Sequence, residues 1–261
     1  MYLPILPQPD CVSAWFEAVK QVDALPGHEA YNVVIDIASP TAGTSMTHPV
    51  VSQVNEFLLT QCKSVEAIAN TIFPQALYEQ YGTDFIKIFH ERVLPRLKTK
   101  EKWSGSYFER MTNLPVADGG QPIDQLSNMI KRMKNKKNNS LNKHEMSIFD
   151  PARDTSDSVY GGQCLSFLSF HLKSGGAKKP KTLLLTAQYR NHYYIEKLLG
   201  NLIGLGRLMA FVAAQTDAEI GALTVISTHA EIDLFGTSRQ EITTLIAKCS
   251  SMMNTPSKSA A

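Results

Sequence analysis

The stretch Cys164-Leu-Ser-Phe-Leu-Ser-Phe-His-Leu172, with the turn Lys173-Ser-Gly-Gly-Ala-Lys-Lys-Pro180 and the run Thr182-Leu-Leu-Leu-Thr-Ala-Gln-Tyr-Arg190, decides the fold. Alternating apolar residues, then turn formers, then a leucine- and threonine-rich run predict two strands joined as a hairpin. A cysteine begins one strand and an arginine ends the other. Beyond them, Tyr194 to Gln215 is apolar enough for a long core helix or helix pair, and Ala222 to Asp233 returns to a strand. The expected architecture is an α/β (α+β) domain with a central mixed sheet flanked by helices.

Upstream, Ser13 to Val22 predicts a short helix and Tyr31 to Ile37 a strand stopped by Ser39-Pro40. Pro49 to Ala69 predicts a helix, a turn and a second helix. Thr83 to Leu97 repeats the helical spacing, and Ile123 to Met133 predicts another helix, opened by Pro122. The run 131–143 contains six basic residues and no acid, which suits a mobile basic loop. It has no aromatic residue for base stacking, so nucleic acid is not an expected partner.

The chain has 261 residues, 43% hydrophobic and 19% charged, with 26 basic against 24 acidic side chains, which excludes wholesale disorder and a polyelectrolyte nucleic-acid binder. Leu198 to Ala214 is interrupted by Asn201 and Arg207, and no membrane span is expected. The start MYLPILPQPDC lacks the basic, apolar form of a secretory leader, so the expected location is cytoplasmic. The four cysteines (Cys11, Cys62, Cys164, Cys249) form no disulfide framework and no CxxC pair.

Cys164 follows Gly161-Gly162-Gln163 at a loop-to-strand junction, where a thiol can face a cleft; it could equally be a small buried hydrophobe. Arg190 could lower the thiol pKa or grip a phosphate with its forked donors. Asn201 lies in the apolar run LLGNLIGLG, where its amide could read a nucleobase edge or act as the N-cap of the helix after Gly200. His229, Glu231 and Asp233 alternate along a strand and would share a face, for a sugar hydroxyl, a metal or plain solvent. No ligand set completes them, so no metal is expected. Gly200, Gly204 and Gly206 have the order GxxxGxG, which is not a dinucleotide fingerprint.

In this order and spacing the segments resemble the thymidylate synthase family. The cysteine strand is similar to that family's PCHxxFQFxV. Tyr-Arg-Asn-His-Tyr-Tyr-Ile-Glu-Lys-Leu-Leu-Gly-Asn201 is similar to its QRSxDxxLGxPFN, and Gly221 to Asp233 to its last core strand, DxHxY included. Gly105-Ser-Tyr-Phe-Glu-Arg110, Gln121-Pro-Ile-Asp-Gln125 and Ser147-Ile-Phe-Asp150 stand where the family has GxxYGxxWR, its IDQ helix start and its SAWN strand. The resemblance covers Pro49 to Asp233.

It implies a transferase that adds a methyl or hydroxymethyl unit to C5 of a pyrimidine nucleotide, with Cys164 as the thiolate that adds to C6. Arg190 would hold the phosphate and help ionise Cys164, and Asn201 would bind the N3 and O4 edge, asparagine there going with uracil. Tyr193 stands at the folate-orienting aspartate, Glu231 and Asp233 at the sugar-binding histidine and tyrosine with His229 beside them, and Lys143 at the arginines lent across a dimer. The one-carbon donor would be 5,10-methylenetetrahydrofolate and the partner a second copy packed on the sheet face. Departures point the other way: Leu165 replaces the histidine after the nucleophile, and Val54 stands in register with the proton-relaying glutamate. Ala42 to Ser45 is a poor substitute for the phosphate loop, and only 28 residues follow Asp233. They leave open a relative that uses the same nucleophile without folate or on a modified nucleotide, or a silent nucleotide- or protein-binding one. The expected organisation is one such domain over 1–261, with a diverged part at 1–48, the basic loop at 131–143 and a disordered tail at 250–261.

Overall fold

The structure is a computed structural model that describes residues 2–98, 105–116, 119–135, 140–155, 162–176, 179–234 and 236–253. In chain order the elements begin with β1 (Leu3–Pro4), α1 (Cys11–Asp23), β2 (Glu29–Ile37), α2 (Pro49–Leu59), α3 (Val65–Ile72) and α4 (Gln75–Tyr81). They continue with α5 (Phe85–Ile88), a π-helical turn Phe89–Val93, α6 (Leu94–Lys98), α7 (Tyr107–Thr112), α8 (Gln125–Lys134), β3 (His144–Ser147) and α9 (Pro151–Asp154). The last are β4 (Leu165–Lys173), β5 (Thr182–Tyr189), β6 (His192–Tyr193), a second π-helical turn Tyr194–Leu198, α10 (Leu199–Thr216), β7 (Glu219–Glu231) and α11 (Arg239–Met253).

The seven strands form one mixed sheet in the order β1-β2-β7-β5-β4-β3, with β6 pairing the end of β7. β4 and β5 are the expected hairpin, antiparallel with Leu165 opposite Tyr189. β7 lies parallel to β5 and antiparallel to β2, so the chain must cross over between β5 and β7, and α10 makes that crossing. Alternation sets the faces. Val33, Ile35, Leu168, Leu183, Leu185, Leu223 and Val225 are buried, while the lateral row Val34, Ile226, Gln188 and Phe167 is partly or fully exposed.

α10 is apolar all round because helices and sheet surround it. With the π-helical turn before it, Tyr194–Thr216 is long and apolar enough to cross a membrane, and most of it is buried inside the protein. Its glycines have a packing reason. A β-carbon on Gly200 would lie 2.6 Å from Ile68 Cγ2, and one on Gly204 would lie 2.7 Å from the Ala69 carbonyl oxygen, so α10 and α3 touch nearly backbone to backbone.

Local capping corrects several expected boundaries. Asp10 accepts the Ser13 N–H at 2.8 Å and starts α1 two residues before Ser13; Asp124 accepts the Ser127 N–H at 2.8 Å and starts α8 after Ile123. The basic run is not all loop. Lys131, Arg132 and Lys134 end α8, where cations favour the negative helix end, and residues 136–139 lie outside the described part. Likewise residues 250–253 are helical in α11, and 254–261 fall outside the described part. Asp233 lies beyond the end of β7 and so leaves the strand face expected for it. The close contact of α10 predicts that Gly200→Ala and Gly204→Ala each lower stability by about 1–3 kcal/mol in urea unfolding, the cost of overpacking.

Candidate functional site

Hairpin register brings the first two candidates together. The Arg190 N–H donates to the Cys164 carbonyl at 2.9 Å, and Arg190 Nε donates to the Gln163 carbonyl at 3.1 Å. Gln163 Nε2 in turn donates to the Gly105 carbonyl at 2.8 Å, tying the loop to the start of α7. Gly162 has φ +74°, and a β-carbon there would stand 3.3 Å from both Arg190 Nη2 and Asp154 Oδ1. Glycine is therefore required on conformational and steric grounds. Gly161 lies outside the described residues.

After Tyr189 the chain leaves β7 at Arg190 and Asn191 and rejoins it as β6, then tightens into the Tyr194–Leu198 turn. This break turns Lys197 and Asn201 toward Cys164. All three line a cavity of about 750 Å³, with Tyr107 and Gln163 on the polar side and Leu77, Phe89, Val93 and Leu97 on the apolar side. Tyr107 Oη accepts the Leu165 N–H at 3.4 Å. Asn201 lies inside α10 rather than at its N-cap: its Nδ2 donates to His192 Nε2 at 3.0 Å, and its Oδ1 is buried without a partner among the described residues.

The thiol feels opposing influences. Burial pushes the Cys164 pKa up, Arg190 and Lys197 pull it down, and Glu196 adds to the rise; the net direction is upward. Arg190 does favour the thiolate, as expected, but burial outweighs it. Glu196 is buried and holds both neighbouring cations, Lys63 at 2.7 Å and Lys197. At Val54 the side chain is fully buried in α2, with no titratable group.

The remaining candidates are elsewhere. Tyr193, Glu231 and Asp233 line a separate pocket of about 450 Å³ with Glu196 and His28. Asp233 accepts the N–H of Ile195 at 2.9 Å and of Glu196, so it caps the π-helical turn; burial raises its pKa to about 6 despite those bonds. His229 meets Asn191 Oδ1 at 2.5 Å and Glu29 Oε2 at 3.1 Å. The carboxylates of Glu29 and Glu231 and the His229 ring, rather than the expected trio with Asp233, lie within 4.8 Å of one another. They meet because β2 and β7 pair Glu29 with Glu231 and Tyr31 with His229. Lys143 precedes β3, whose His144 pairs with Phe170, five residues along β4 from Leu165 and roughly 17 Å away at the rise of a strand. Within one chain it does not reach the cavity.

No family model matches this chain. A protein named "Putative thymidylate synthase" from Methanothermobacter thermautotrophicus is 32% identical over 111 residues, which is 42% of this chain and 45% of that protein. Its namesake from Methanothermobacter marburgensis matches with the same identity and coverage. The chain is a distant thymidylate synthase-like relative. The match spans less than half the length of either relative.

In this thymidylate synthase-like chain, two polar residues of the site escaped sequence reasoning. Lys197, charged inside the apolar run Tyr194–Leu199, was a visible signal; His192 was not, because its partners Ser227 and Asn201 lie on other elements. Two outcomes are expected. Replacing Arg190 or Lys197 with Met removes a cation and slows alkylation of Cys164 severalfold at fixed mildly alkaline pH, followed by mass spectrometry; Glu196→Gln removes an anion and speeds it. Asp233 binds its proton more tightly folded than unfolded, so its ionisation costs stability above about pH 6, a cost absent below about pH 4. Asp233→Asn is therefore expected to exceed the wild type in stability at neutral pH by up to about 3 kcal/mol, with the gap closing as pH falls through that window in urea titrations.

Proposed function

We propose that this protein transfers a one-carbon unit to C5 of a pyrimidine nucleotide through a covalent adduct between Cys164 and C6. The observation that carries this reading is the meeting of Cys164, Lys197 and Asn201 on one cavity, with Arg190 paired across the hairpin from the cysteine. Asn201 hydrogen-bonds the base edge. An anionic phosphate adds its charge to a site where Arg190 and Lys197 supply two cations. With its thiol proton lost to solvent, the Cys164 sulfur donates an electron pair to C6, and the ring electrons move onto C5 and the O4 enolate. C5 then attacks a one-carbon electrophile, loses its proton to a base, and elimination returns the sulfur as thiolate.

Folate does not fit the position the resemblance gives it. Tyr193 stands there in place of a carboxylate, and it lines a pocket separate from the Cys164 cavity. No step is assigned to folate. That mismatch favours a second reading in which the same nucleophile meets another electrophile or a modified nucleotide. A second copy of the chain is the proposed cover for the sheet face that carries Val34, Ile226 and Phe167 among the polar Thr186, Gln188 and Thr224.

Tritium release from C5 of labelled UMP, dUMP, CMP and dCMP tests the reaction class. Release that disappears in Cys164→Ala is the expected result; no release with any of the four sinks C5 transfer. A mass-spectrometric adduct of a 5-fluorinated nucleotide at Cys164 without C5 release selects the second reading.

A further inference from the structure

We propose that Glu29, His229 and Glu231 bind a divalent transition-metal ion of the zinc type at the rim of the carboxylate-rich pocket. The site does not involve Cys164, and it stands or falls independently of the nucleotide reading.

Strand register builds the cluster. β2 and β7 set Glu29 directly opposite Glu231 and Tyr31 opposite His229, so the imidazole lies diagonally across from Glu29. All four share one sheet face, because Ala30 and Ala230 between them are buried on the other. One ligand atom from each of Glu29, His229 and Glu231 lies within 4.8 Å of the other two. Glu29 and His229 are 200 residues apart, which is why the sequence around His229 completed no ligand set.

Two features of this arrangement call for a cation. Like charges directly opposite one another destabilise an antiparallel pair, yet neither Glu29 nor Glu231 has a lysine or arginine ion partner among the described residues. Only the His229 ring meets Glu29. The second feature is the orientation of that ring. Asn191 Oδ1 lies 2.5 Å from His229 Nδ1, so in the neutral ring the proton sits on Nδ1 and is donated to the amide. Nε2 then turns its lone pair toward Glu29 Oε2, 3.1 Å away, where two lone pairs repel and a metal ion accepts both. Such an outer partner on one ring nitrogen is the usual support of a metal-bound histidine. The like-charge opposition holds whichever way the Asn191 amide is turned.

Spacing and donor type indicate the ion. Ligands about 2.0–2.2 Å from a tetrahedral ion stand roughly 3.4 Å apart, so His229 and Glu29 are already close to that separation and Glu231 needs a side-chain rotation. An imidazole nitrogen with two carboxylate oxygens suits zinc and its first-row neighbours, whereas magnesium and calcium prefer oxygen alone. Three protein ligands leave a coordination position open. Glu231 also lines the pocket that holds Tyr193, Glu196 and Asp233, so the ion sits at its rim.

Calorimetry with Zn²⁺ on the chelator-treated full chain tests this, with thermal melts to confirm that each variant is folded. The side chains of His229 and Glu29 are 24% and 43% exposed, so replacing them leaves the core intact. Wild type is expected to bind one Zn²⁺ per chain, without competition from Mg²⁺. His229→Ala should abolish that binding, Glu29→Gln and Glu231→Gln should each weaken it at least about tenfold, and Asn191→Ala should weaken it about 10- to 100-fold. Cys62→Ser and Cys164→Ala should keep it, and Co²⁺ bound in place of Zn²⁺ should show visible bands without thiolate charge transfer. Zn²⁺ that fails to bind the wild type, that binds folded His229→Ala and Glu29→Gln as tightly as the wild type, or that is lost with a cysteine overturns the proposal.

Discussion

A neutral imidazole in the protein interior ties the sheet to the helix that lines the cavity. His192 stacks on Tyr189 of β5, bonds Ser227 of β7 and bonds Asn201 of α10, so three elements share one ring. Buried polar groups without partners cost on the order of 1–3 kcal/mol each, which makes such a chain intolerant of slippage in any member. β6 is only two residues long, yet it must pair with the end of β7 for His192 to point inward. The interruption between β5 and β6 follows from that demand, and it is the same interruption that leaves Arg190 facing Gln163 and Cys164.

Packing of α10 supplies the second constraint. Because Gly200 and Gly204 let α3 approach closely, the wall bearing Asn201 stands beside Ile68 and Asn70, which with Leu77 from α4 help line the cavity. Charge is distributed unevenly around this frame. Lys63 and Lys197 converge on buried Glu196, while Asp233 caps the same turn from the other side. One short π-helical turn thus separates a cavity with cations near a thiol from a pocket rich in carboxylates. That separation places the Cys164 thiol and the Asn201 amide on one side of the turn and the carboxylates of Glu231 and Asp233 on the other.

Much of this was legible in order along the chain. The hairpin from Cys164 to Arg190 was readable because alternation and turn residues are local, and hairpin pairing then places its two ends together. The paired helices of Pro49 to Ala69 and the apolar crossing helix were readable for the same reason. Asn201 drew notice as a polar residue in an apolar run, though its setting was mistaken: an N-cap is a local role, whereas its partner His192 reaches it through the fold. Asp233 alternated with His229 and Glu231 in the sequence, but β7 ends first and the carboxylate turns back to cap Ile195 and Glu196.

By itself the sequence determined the type of most central elements, the α/β class, the hairpin and the placement of Cys164 opposite Arg190, since each depends on periodicity and short-range pairing; the helix Arg239–Met253 was not read from it. Only the tertiary structure decided that Lys197 joins Cys164 and Asn201 on one cavity, that Tyr193 and Asp233 stand outside it, and that Glu29 meets His229 and Glu231. Those meetings depend on β2 pairing with β7 across most of the chain and on how deeply the thiol is buried. Long-range strand pairing and desolvation are properties of the packed molecule, and no window of sequence contains them.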